Sequence, residues 1–307
     1  MPPAAVEITG LVKSYAGREA VRGLSMSVAA GSVTAVLGPN GAGKTTTVEI
    51  CSGLRRADAG TVRVLGLDPV RDAKALRPKL GVMLQSGGVY SGARAGEMLR
   101  HVAKLHAHPV DPESLLDRLG LRPAERTTYR RLSGGQQQLL TLGLAIVGRP
   151  QLVFLDEPTA GLDPHARRDT WSLIRSLRAD GVTVVLTTHL MDEAEALADA
   201  VHIVDGGRVI ASGHPTELTR RGAENSLTFR GPGGLALGGL LAALPAGAAA
   251  AETAPGTYRV DAPISPALLA TVTAWCAGHD VLPEGLAVER RSLEDVFLEL
   301  TGRGLGQ

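Results

Sequence analysis

The chain has 307 residues, with 32 lysines and arginines against 31 aspartates and glutamates. A formal net charge of +1 and a charged fraction of 21% exclude a strong electrostatic field directed at nucleic acid or an anionic membrane. At about 150 residues per domain, the length predicts about two domains. Cys51 and Cys276 are far apart and form no CxxC pair, which predicts buried free thiols in a cytosolic protein.

Two segments bear on secretion and membrane insertion. The amino terminus, "MPPAAVEITGLVKSYAG", lacks a basic stretch followed by a long apolar one, so we predict no signal peptide. The uncharged segment 231–250 approaches the length of a bilayer span, but Gly and Ala dominate it and Pro245 interrupts it. We therefore predict no membrane span there, but a short buried helix near 235–244 with a loop behind it.

Strands and helices alternate through the first two thirds of the chain. Apolar runs at 32–38, 151–157 and 182–189 show little polar alternation, which is typical of strands covered on both faces in a parallel sheet. Helical patterns occupy 135–147 and 165–180, so the predicted class is α/β. The following stretch, "VHIVDGGRVIASG", predicts a β-hairpin with an Asp-Gly-Gly turn.

The carboxy-terminal part of the chain has a different pattern of short strands and helices. Besides the short helix already described, the predicted elements are strands at 226–230, 257–262 and 286–290 and helices at 265–278 and 292–302. The last helix has a capping-box-like start at Ser292 and Asp295, and one apolar face made by Leu293, Val296, Phe297 and Leu300. We predict two domains, 1–220 and 221–307, the second a small α+β appendage.

The strongest chemical motif is "GPNGAGKTT", which fits the phosphate-loop pattern G-x-x-x-x-G-K-[ST] between an apolar strand and a helix. Its glycines let backbone N–H groups face phosphate oxygens, and the next helix presents its positive end to the same charge. Lys44 is expected to reach the β- and γ-phosphates, Thr45 to ligate Mg²⁺ and Thr46 to add a phosphate contact. A glycine-rich turn with a chance lysine is disfavoured by the flanking strand and helix. The predicted ATP-binding residues here are Gly38, Pro39, Asn40, Gly41, Ala42, Gly43, Lys44, Thr45 and Thr46.

A second motif, "LVFLDEP", ends an apolar strand in two adjacent carboxylates. Neighbouring side chains on a strand point in different directions, so Asp156 and Glu157 are free to act differently. A bare Asp-Glu pair can simply cap the next element. Together with the phosphate loop, however, it predicts a nucleotidase in which Asp156 holds Mg²⁺ and Glu157 orients or deprotonates the attacking water.

Taken in order, the motifs resemble the nucleotide-binding subunits of ATP-binding cassette (ABC) transporters over about the first 220 residues. The match also includes "LSGGQ" at 132–136, Gln85 after "LGVML", "AGLD" at 160–163, and His189 at a strand end. The resemblance implies a P-loop NTPase core with a helical subdomain at about 86–148, and ATP and Mg²⁺ as cofactors.

The resemblance also implies roles for single residues. Tyr15 matches an aromatic residue that stacks on adenine, although a lone tyrosine is often only half-buried. Gln85 matches the glutamine that joins the metal and water environment to the membrane partner. His189 matches the switch histidine that contacts the γ-phosphate, and Asp163 matches the residue that links the two sites of a dimer. Lys44, Glu157 and His189 are therefore the expected catalytic residues.

In this family the Ser-Gly-Gly-Gln turn begins a helix whose donors bind the γ-phosphate of ATP held by the other subunit. Ser133 offers a hydroxyl, Gly134 and Gly135 allow close backbone approach, and the helix start supplies a positive dipole end near Gln136. A plain N-cap before a buried apolar helix uses the same N–H groups and is compatible with this role. The resemblance thus implies a head-to-tail homodimer with ATP between the chains.

Two departures from the family pattern are visible. Gln137 and Gln138 stand where a basic residue is frequent, and the segment 85–99, which commonly touches the membrane subunit, lacks the usual Leu-Thr before its helix. The segments at 187–199 and 292–302 are nevertheless similar to the exporter branch, whose members act on antibiotics such as daunorubicin, lipids or polysaccharides.

The expected function is therefore that of the ATP-hydrolysing subunit of an exporter, bound through a separate permease to the inner face of the cell membrane. One alternative is a non-transport ABC protein acting in translation or on DNA. Such proteins usually carry two cassettes or a long coiled coil, and the near-neutral charge argues against nucleic acid as a partner. A catalytically silent paralogue is disfavoured because Lys44, Asp156, Glu157 and His189 are all present.

Overall fold

A computed structural model of the protein describes residues 4–85, 89–220, 226–289 and 292–302. Packing divides the chain into two units, one of Met1–Pro215 with Leu300–Gln307 and the other of Thr216–Glu299. The strands up to residue 213 are β1 (Ala4–Tyr15), β2 (Arg18–Ala29), β3 (Val33–Leu37), β4 (Ala59–Val64), β5 (Leu80–Met83), β6 (Leu152–Asp156), β7 (Thr183–Thr188), β8 (Ala200–Asp205) and β9 (Arg208–Gly213). The helices up to residue 220 are α1 (Lys44–Cys51), α2 (Ala73–Leu76), α3 (Ala95–Ala103), α4 (Pro112–Arg118), α5 (Gly134–Ile146), α6 (Pro164–Ala179), α7 (Met191–Leu197) and α8 (Pro215–Arg220).

The predicted parallel sheet is present and forms the centre of the first unit. Its strand order is β5-β6-β7-β3-β8-β9, and every pairing from β5 to β8 is parallel. Every residue of β3, β6 and β7 is buried, which explains why these strands have continuous apolar runs. Because the carboxyl ends of parallel strands meet at one sheet edge, the segments that follow β3, β6 and β7 lie side by side.

The predicted hairpin is also confirmed. Strand β9 pairs antiparallel with β8, and two residues, Gly206 and Gly207, connect them. Their φ angles of +53° and +80° lie in the left-handed region that a tight two-residue hairpin turn requires and that glycine adopts at little cost.

A second sheet, of order β2-β1-β4, was not predicted from the sequence. Both of its pairings are antiparallel, and the β1–β2 register shifts between Ile8 and Leu11, where Gly10 has a φ of +60°. Such a bulge breaks the two-residue period that identifies a half-buried strand. The N-terminal strands were therefore hidden by an irregular burial pattern.

Helices α3, α4 and α5 lie between β5 and β6 in the chain. In an ion-pair network, Arg100 Nε of α3 donates to Glu113 Oε1 of α4 at 2.6 Å, and Arg100 Nη2 donates to Oε2 of Glu125, which follows α4, at 3.0 Å. Hydrogen bonds from Arg100 and then Arg122 hold the pKa of the Glu113 carboxyl down at about 2. Because these side chains are partly exposed to solvent, the network adds little to stability and mainly orients α3 relative to α4.

The C-terminal elements are β10 (Ser226–Arg230), α9 (Gly238–Ala243), β11 (Ala249–Ala254), β12 (Thr257–Asp261), α10 (Pro266–Gly278), β13 (Glu284–Glu289) and α11 (Leu293–Thr301). The four strands form an antiparallel sheet of order β11-β12-β10-β13. Phe229 stacks on Tyr258 with ring centroids 5.1 Å apart, and the Tyr258 hydroxyl accepts a hydrogen bond from Leu235 N at 3.0 Å. An α+β appendage with the predicted helices is thus present.

Two details of that region differ from the sequence prediction. The short helix spans only Gly238–Ala243, and the residues behind it, predicted as a loop, enter strand β11 at Ala249. The β11 sequence, "AAAETA", has weak strand propensity and lies at the sheet edge, largely exposed, so neither composition nor periodicity marked it. At the last helix, Asp295 N donates to Ser292 Oγ at 3.2 Å and Ser292 N donates to Asp295 Oδ2 at 2.8 Å, as the capping-box-like pattern predicted.

Cys51 and Cys276 are both buried and free, as expected. Burial raises the pKa of the Cys51 thiol to about 12. Across the residues that the structure describes, no helix has both the length and the apolar character needed to cross a bilayer.

Candidate functional site

The phosphate-loop segment, residues 38–46, connects β3 to the first turn of α1. Two of its glycines are required by close backbone approach: a Cβ at Gly38 would lie 2.1 Å from Val204 O, and one at Gly43 would lie 2.5 Å from Ala20 O. Gly43 is also the N-cap of α1 with a φ of +97°, makes no side-chain cap and has no acidic residue in the turn that follows. The helix start therefore offers its N–H groups and positive dipole end to an anion.

The remaining loop residues complete this segment. Ala42 N donates to Pro39 O at 3.2 Å, which closes the turn around the exposed Asn40 and Gly41. Thr45 and Thr46 lie in the first turn of α1 and are partly exposed. The loop thus places two hydroxyls beside the first N–H groups of the helix.

We expect Gly38→Ala to destabilise the chain by about 3 kcal/mol, because overpacking a methyl group against the β8 carbonyl forces backbone to move. Gly41→Ala is the matched control. Gly41 has a φ of +81°, but a methyl group added there would meet nothing within 4 Å, so only backbone strain of about 1 kcal/mol is expected. Urea unfolding measures both values. Equal losses of stability in the two variants would contradict the close approach of Gly38 to β8.

Lys44 is 94% buried inside this loop. Its Nζ donates to Gly38 O at 2.7 Å and to Pro39 O at 3.2 Å, and lies 3.6 Å from Glu157 Oε1. Burial lowers the pKa of Lys44, while the carboxylates of Glu157 and Asp156 act in the opposite direction. The ammonium is therefore held between the loop carbonyls and the carboxylates that follow β6.

Asp156, the last residue of β6, is fully buried. Its Oδ1 accepts a hydrogen bond from the Thr187 hydroxyl, whereas Oδ2 has no hydrogen-bond partner among the described residues. An unpartnered buried carboxylate oxygen is a suitable ligand for a hard cation such as Mg²⁺. No cluster of three or more His, Cys, Asp or Glu that could hold a metal occurs among those residues, and Mg²⁺ needs none, since it retains waters and phosphate oxygens as ligands.

Glu157 has a left-handed backbone, with a φ of +54°. Its N–H lies 3.1 Å from Thr187 O and 3.2 Å from Thr187 Oγ1, and its carbonyl accepts a hydrogen bond from Gln138 Nε2 at 2.6 Å. A left-handed conformation is unfavourable for a residue with a side chain, and it persists here because both sides of the residue are held.

The Glu157 carboxylate meets both of the other predicted catalytic residues. Its Oε2 lies 2.6 Å from Nδ1 of His189, which follows β7 and is 41% exposed, and its Oε1 faces Lys44. Carboxylate, imidazole and ammonium thus form one cluster next to Asp156. Such an arrangement can hold a water molecule, remove its proton and contact a terminal phosphate.

The "LSGGQ" segment begins α5 with a complete capping box. Gln136 N donates to Ser133 Oγ at 3.2 Å, and Ser133 N donates to Gln136 Oε1 at 3.1 Å. Ser133 and Gly134 are exposed, and a Cβ at Gly135 would lie 3.3 Å from Leu162 Cδ2. The helix start therefore faces solvent, while one of its glycines packs against the loop that follows Glu157.

The structure gives the remaining predicted residues local contacts. Asp163 is the N-cap of α6 and accepts hydrogen bonds from His165 N at 2.8 Å and Ala166 N at 2.9 Å. The bond from Ala166 and then that from His165 lower the pKa of the Asp163 carboxyl. Gln85 is exposed two residues after β5, and residues 86–88 lie outside the described ranges. A structural role for Asp163 is thus visible, and the dimer role stays a prediction.

Tyr15 ends β1 and is 37% exposed. Its ring centroid lies 5.6 Å from Lys13 Nζ and 5.4 Å from Arg55 Cζ, within the range of cation–π contacts. Adenine stacking at this ring remains a prediction.

Sequence reasoning missed two residues of the site. Thr187 contacts Asp156, which ends β6, and Glu157, which follows it. Gln138 contacts the Glu157 carbonyl. Thr187 was detectable as a polar residue inside the apolar run "VTVVLTTH". The role of Gln138 depends on a contact between segments 19 residues apart, which no spacing rule reveals.

Comparison with known proteins agrees with this geometry. Residues 21–160 match the family model described as ABC transporter. The daunorubicin resistance ATP-binding protein DrrA3 of Streptomyces coeruleorubidus is 38% identical over 98% of this chain and 97% of its own length. The Nod factor export ATP-binding protein I of Rhizobium johnstonii is 39% identical over 71% of this chain and 72% of its own length. A solved structure of the ATP binding subunit of an ABC transporter aligns with a TM-score of 0.65 and 26% identity, over 71% of this chain and 92% of that one.

These relatives confirm the resemblance inferred from the motifs, and they give no support to the alternative of a role in translation or DNA maintenance. The α/β P-loop fold is confirmed by the solved structure. The chain therefore belongs to the ATP-binding proteins of ABC transporters, and it is an ATPase.

Proposed function

We propose that this ATPase is the subunit that powers an exporter, moving a drug, lipid or polysaccharide through a separate membrane permease. One observation carries the proposal most directly. The chain combines the cluster of Lys44, Glu157 and His189 with an exposed Ser133–Gly134 helix start, so it has both a hydrolytic site and a phosphate-binding surface. The names of the similar proteins, drug resistance and Nod factor export, support an export direction.

The roles proposed for the cluster follow from its contacts. Glu157 takes the proton from the attacking water, His189 orients the Glu157 carboxylate and contacts the γ-phosphate, and Lys44 exchanges its two loop carbonyls for phosphate oxygens. Mg²⁺ would be held by the unpartnered Oδ2 of Asp156, the Thr45 hydroxyl and Gln85. When bound, the metal would neutralise charge on the phosphates.

The proposed working form is a head-to-tail homodimer. Ser133, Gly134, Gly135 and Gln136 of one chain would bind the γ-phosphate of ATP held by the other, with Asp163 linking the two sites. The exposed start of α5 supports this surface, because its N–H groups and dipole favour an anion. Binding ATP would close the dimer, and hydrolysis would open it, which supplies a two-state motion to the permease.

The membrane partner is testable by affinity purification of the tagged chain from detergent-solubilised membranes, followed by mass spectrometry. We expect a polytopic membrane protein without its own ATP-binding cassette, and stimulation of ATP hydrolysis when the two are reconstituted in lipid vesicles. Recovery of ribosomes instead, or failure of the recovered membrane protein to change the ATPase rate, would contradict the proposal.

A further inference from the structure

The two glutamines that replace the frequent basic residues each donate to backbone carbonyls. Gln137 Nε2 donates to Tyr129 O at 3.0 Å and to Leu132 O at 3.3 Å, so it fastens the 3₁₀ turn Tyr129–Arg131 that precedes α5. Gln138 Nε2 instead donates to Glu157 O at 2.6 Å. Adjacent residues of one helix therefore serve different segments, and only the second reaches the hydrolytic cluster.

The bond from Gln138 completes the restraint on Glu157. The N–H of Glu157 is held by Thr187 on β7, and its carbonyl is held by Gln138 on α5, so both peptide groups of this left-handed residue are anchored. Since rotation of either peptide group changes the direction of the Cα–Cβ bond, these anchors fix the point from which the side chain reaches its carboxylate position. The 2.6 Å contact of the carboxylate with His189 depends on that direction.

Helix α5 connects this anchor to the exposed helix start. Ser133 is the N-cap of α5 and Gln138 lies in its second turn, about 7.5 Å along the axis at 1.5 Å per residue. The capping box fixes the first turn, and Gly135 packs beside Leu162 in the loop after Glu157. Helix α5 therefore links the helix start to the Glu157 carbonyl through a continuous set of contacts.

We propose that Gln138 is a positioning residue for ATP hydrolysis, through which the helix start that binds the partner chain's ATP controls the catalytic Glu157 of its own chain. The proposal rests on the dimer and on the catalytic role of Glu157 set out above. A neutral amide suits the task, because it satisfies the carbonyl without adding a charge beside Lys44, Glu157 and His189. In a dimer built this way, hydrolysis at one site is faster when the other site also holds ATP.

The test compares Gln138→Leu, which removes the donor, with the matched control Gln137→Leu. For Gln138→Leu we expect kcat to fall about 10- to 100-fold, because misplacement of a catalytic group by about 1 Å has effects of this size. The KM for ATP should stay within about twofold, and the Hill coefficient for ATP should fall toward one, since the coupling is lost. Gln137→Leu should keep the wild-type kcat and Hill coefficient.

Further variants make each outcome decisive. Gln138→Glu keeps the size of the side chain but cannot donate when ionised, so it replaces Gln138→Leu if the apolar variant fails to fold, and the same loss of kcat is expected. Wild-type kcat and Hill coefficient in both variants, or an equal loss in Gln137→Leu, would overturn the positioning role. Glu157→Gln is measured alongside: if it is inactive while both Gln138 variants turn over normally, only this inference fails, and if it is active, the catalytic assignment itself is wrong.

Discussion

Glu157→Gln is expected to bind ATP at close to wild-type affinity and to hydrolyse it about 10²- to 10⁴-fold more slowly, the usual contribution of a positioned general base. The amide keeps the shape of the side chain and a hydrogen-bonding group for His189 Nδ1, now 2.6 Å from Glu157 Oε2, but it cannot accept a proton from water. Phosphate release in steady state measures the rate. Because ATP stays intact in this variant, the dimer should accumulate with ATP and be visible by light scattering.

The matched control is Asp192→Asn, which makes the same charge-to-amide change at an exposed residue of α7, near His189 in sequence. It should hydrolyse ATP at the wild-type rate and should not accumulate as a dimer. Normal turnover by Glu157→Gln would remove Glu157 from the catalytic role, and the general base would have to be sought elsewhere in the cluster.

Ser133→Arg is expected to abolish ATP-dependent dimerisation while leaving ATP binding by the single chain nearly intact. Ser133 is exposed and lies at the N-cap of α5, so a large side chain there blocks an approaching phosphate and partner surface rather than the chain's own phosphate loop. Loss of the cap destabilises the helix by only about 1 kcal/mol. ATP binding is measured by calorimetry on the single chain, and dimerisation by light scattering in the Glu157→Gln background, where the dimer persists.

Two controls separate the surface from the cap. Ser133→Ala removes the capping hydroxyl without adding bulk. Ser265→Arg makes the same substitution at the N-cap of α10, where Ser265 Oγ accepts a hydrogen bond from Leu268 N at 3.2 Å. Both should still dimerise with ATP. If Ser133→Arg weakens nucleotide binding by the single chain, the assignment of this segment to the partner's ATP is wrong.

The sequence predicted the centre of the molecule well because chemistry and burial coincide there. Strands β3, β6 and β7 are buried throughout, and each is followed by a polar motif, so strand and site were found together. The cluster of Lys44, Glu157 and His189 was predicted from the motifs and their resemblance to ABC ATP-binding subunits, and in the structure Glu157 contacts both of the others.

Elsewhere the pattern of apolar and polar residues was too irregular to predict the strands. The edge strand β11 is rich in alanine and largely exposed, so its pairing with β12 decides its conformation. Strands β1, β2 and β4 are half-exposed, and β1 pairs with shifts in register, which removes the regular period. Gln138 was seen only as a departure from a family pattern, because its partner lies on another element.

The left-handed backbone at Glu157 limits how the chain can be stabilised by protein engineering. Among the described residues, five that are not glycine have a positive φ: Ala16, Leu65, Arg149, Glu157 and Asp280. Exchange to glycine relaxes such a position, and at four of the five no catalytic group is lost. At Glu157 the same exchange deletes the carboxylate that we propose as the general base, so local backbone stability and turnover would oppose each other at this residue. A library that randomises this position should therefore be screened for hydrolysis before stability.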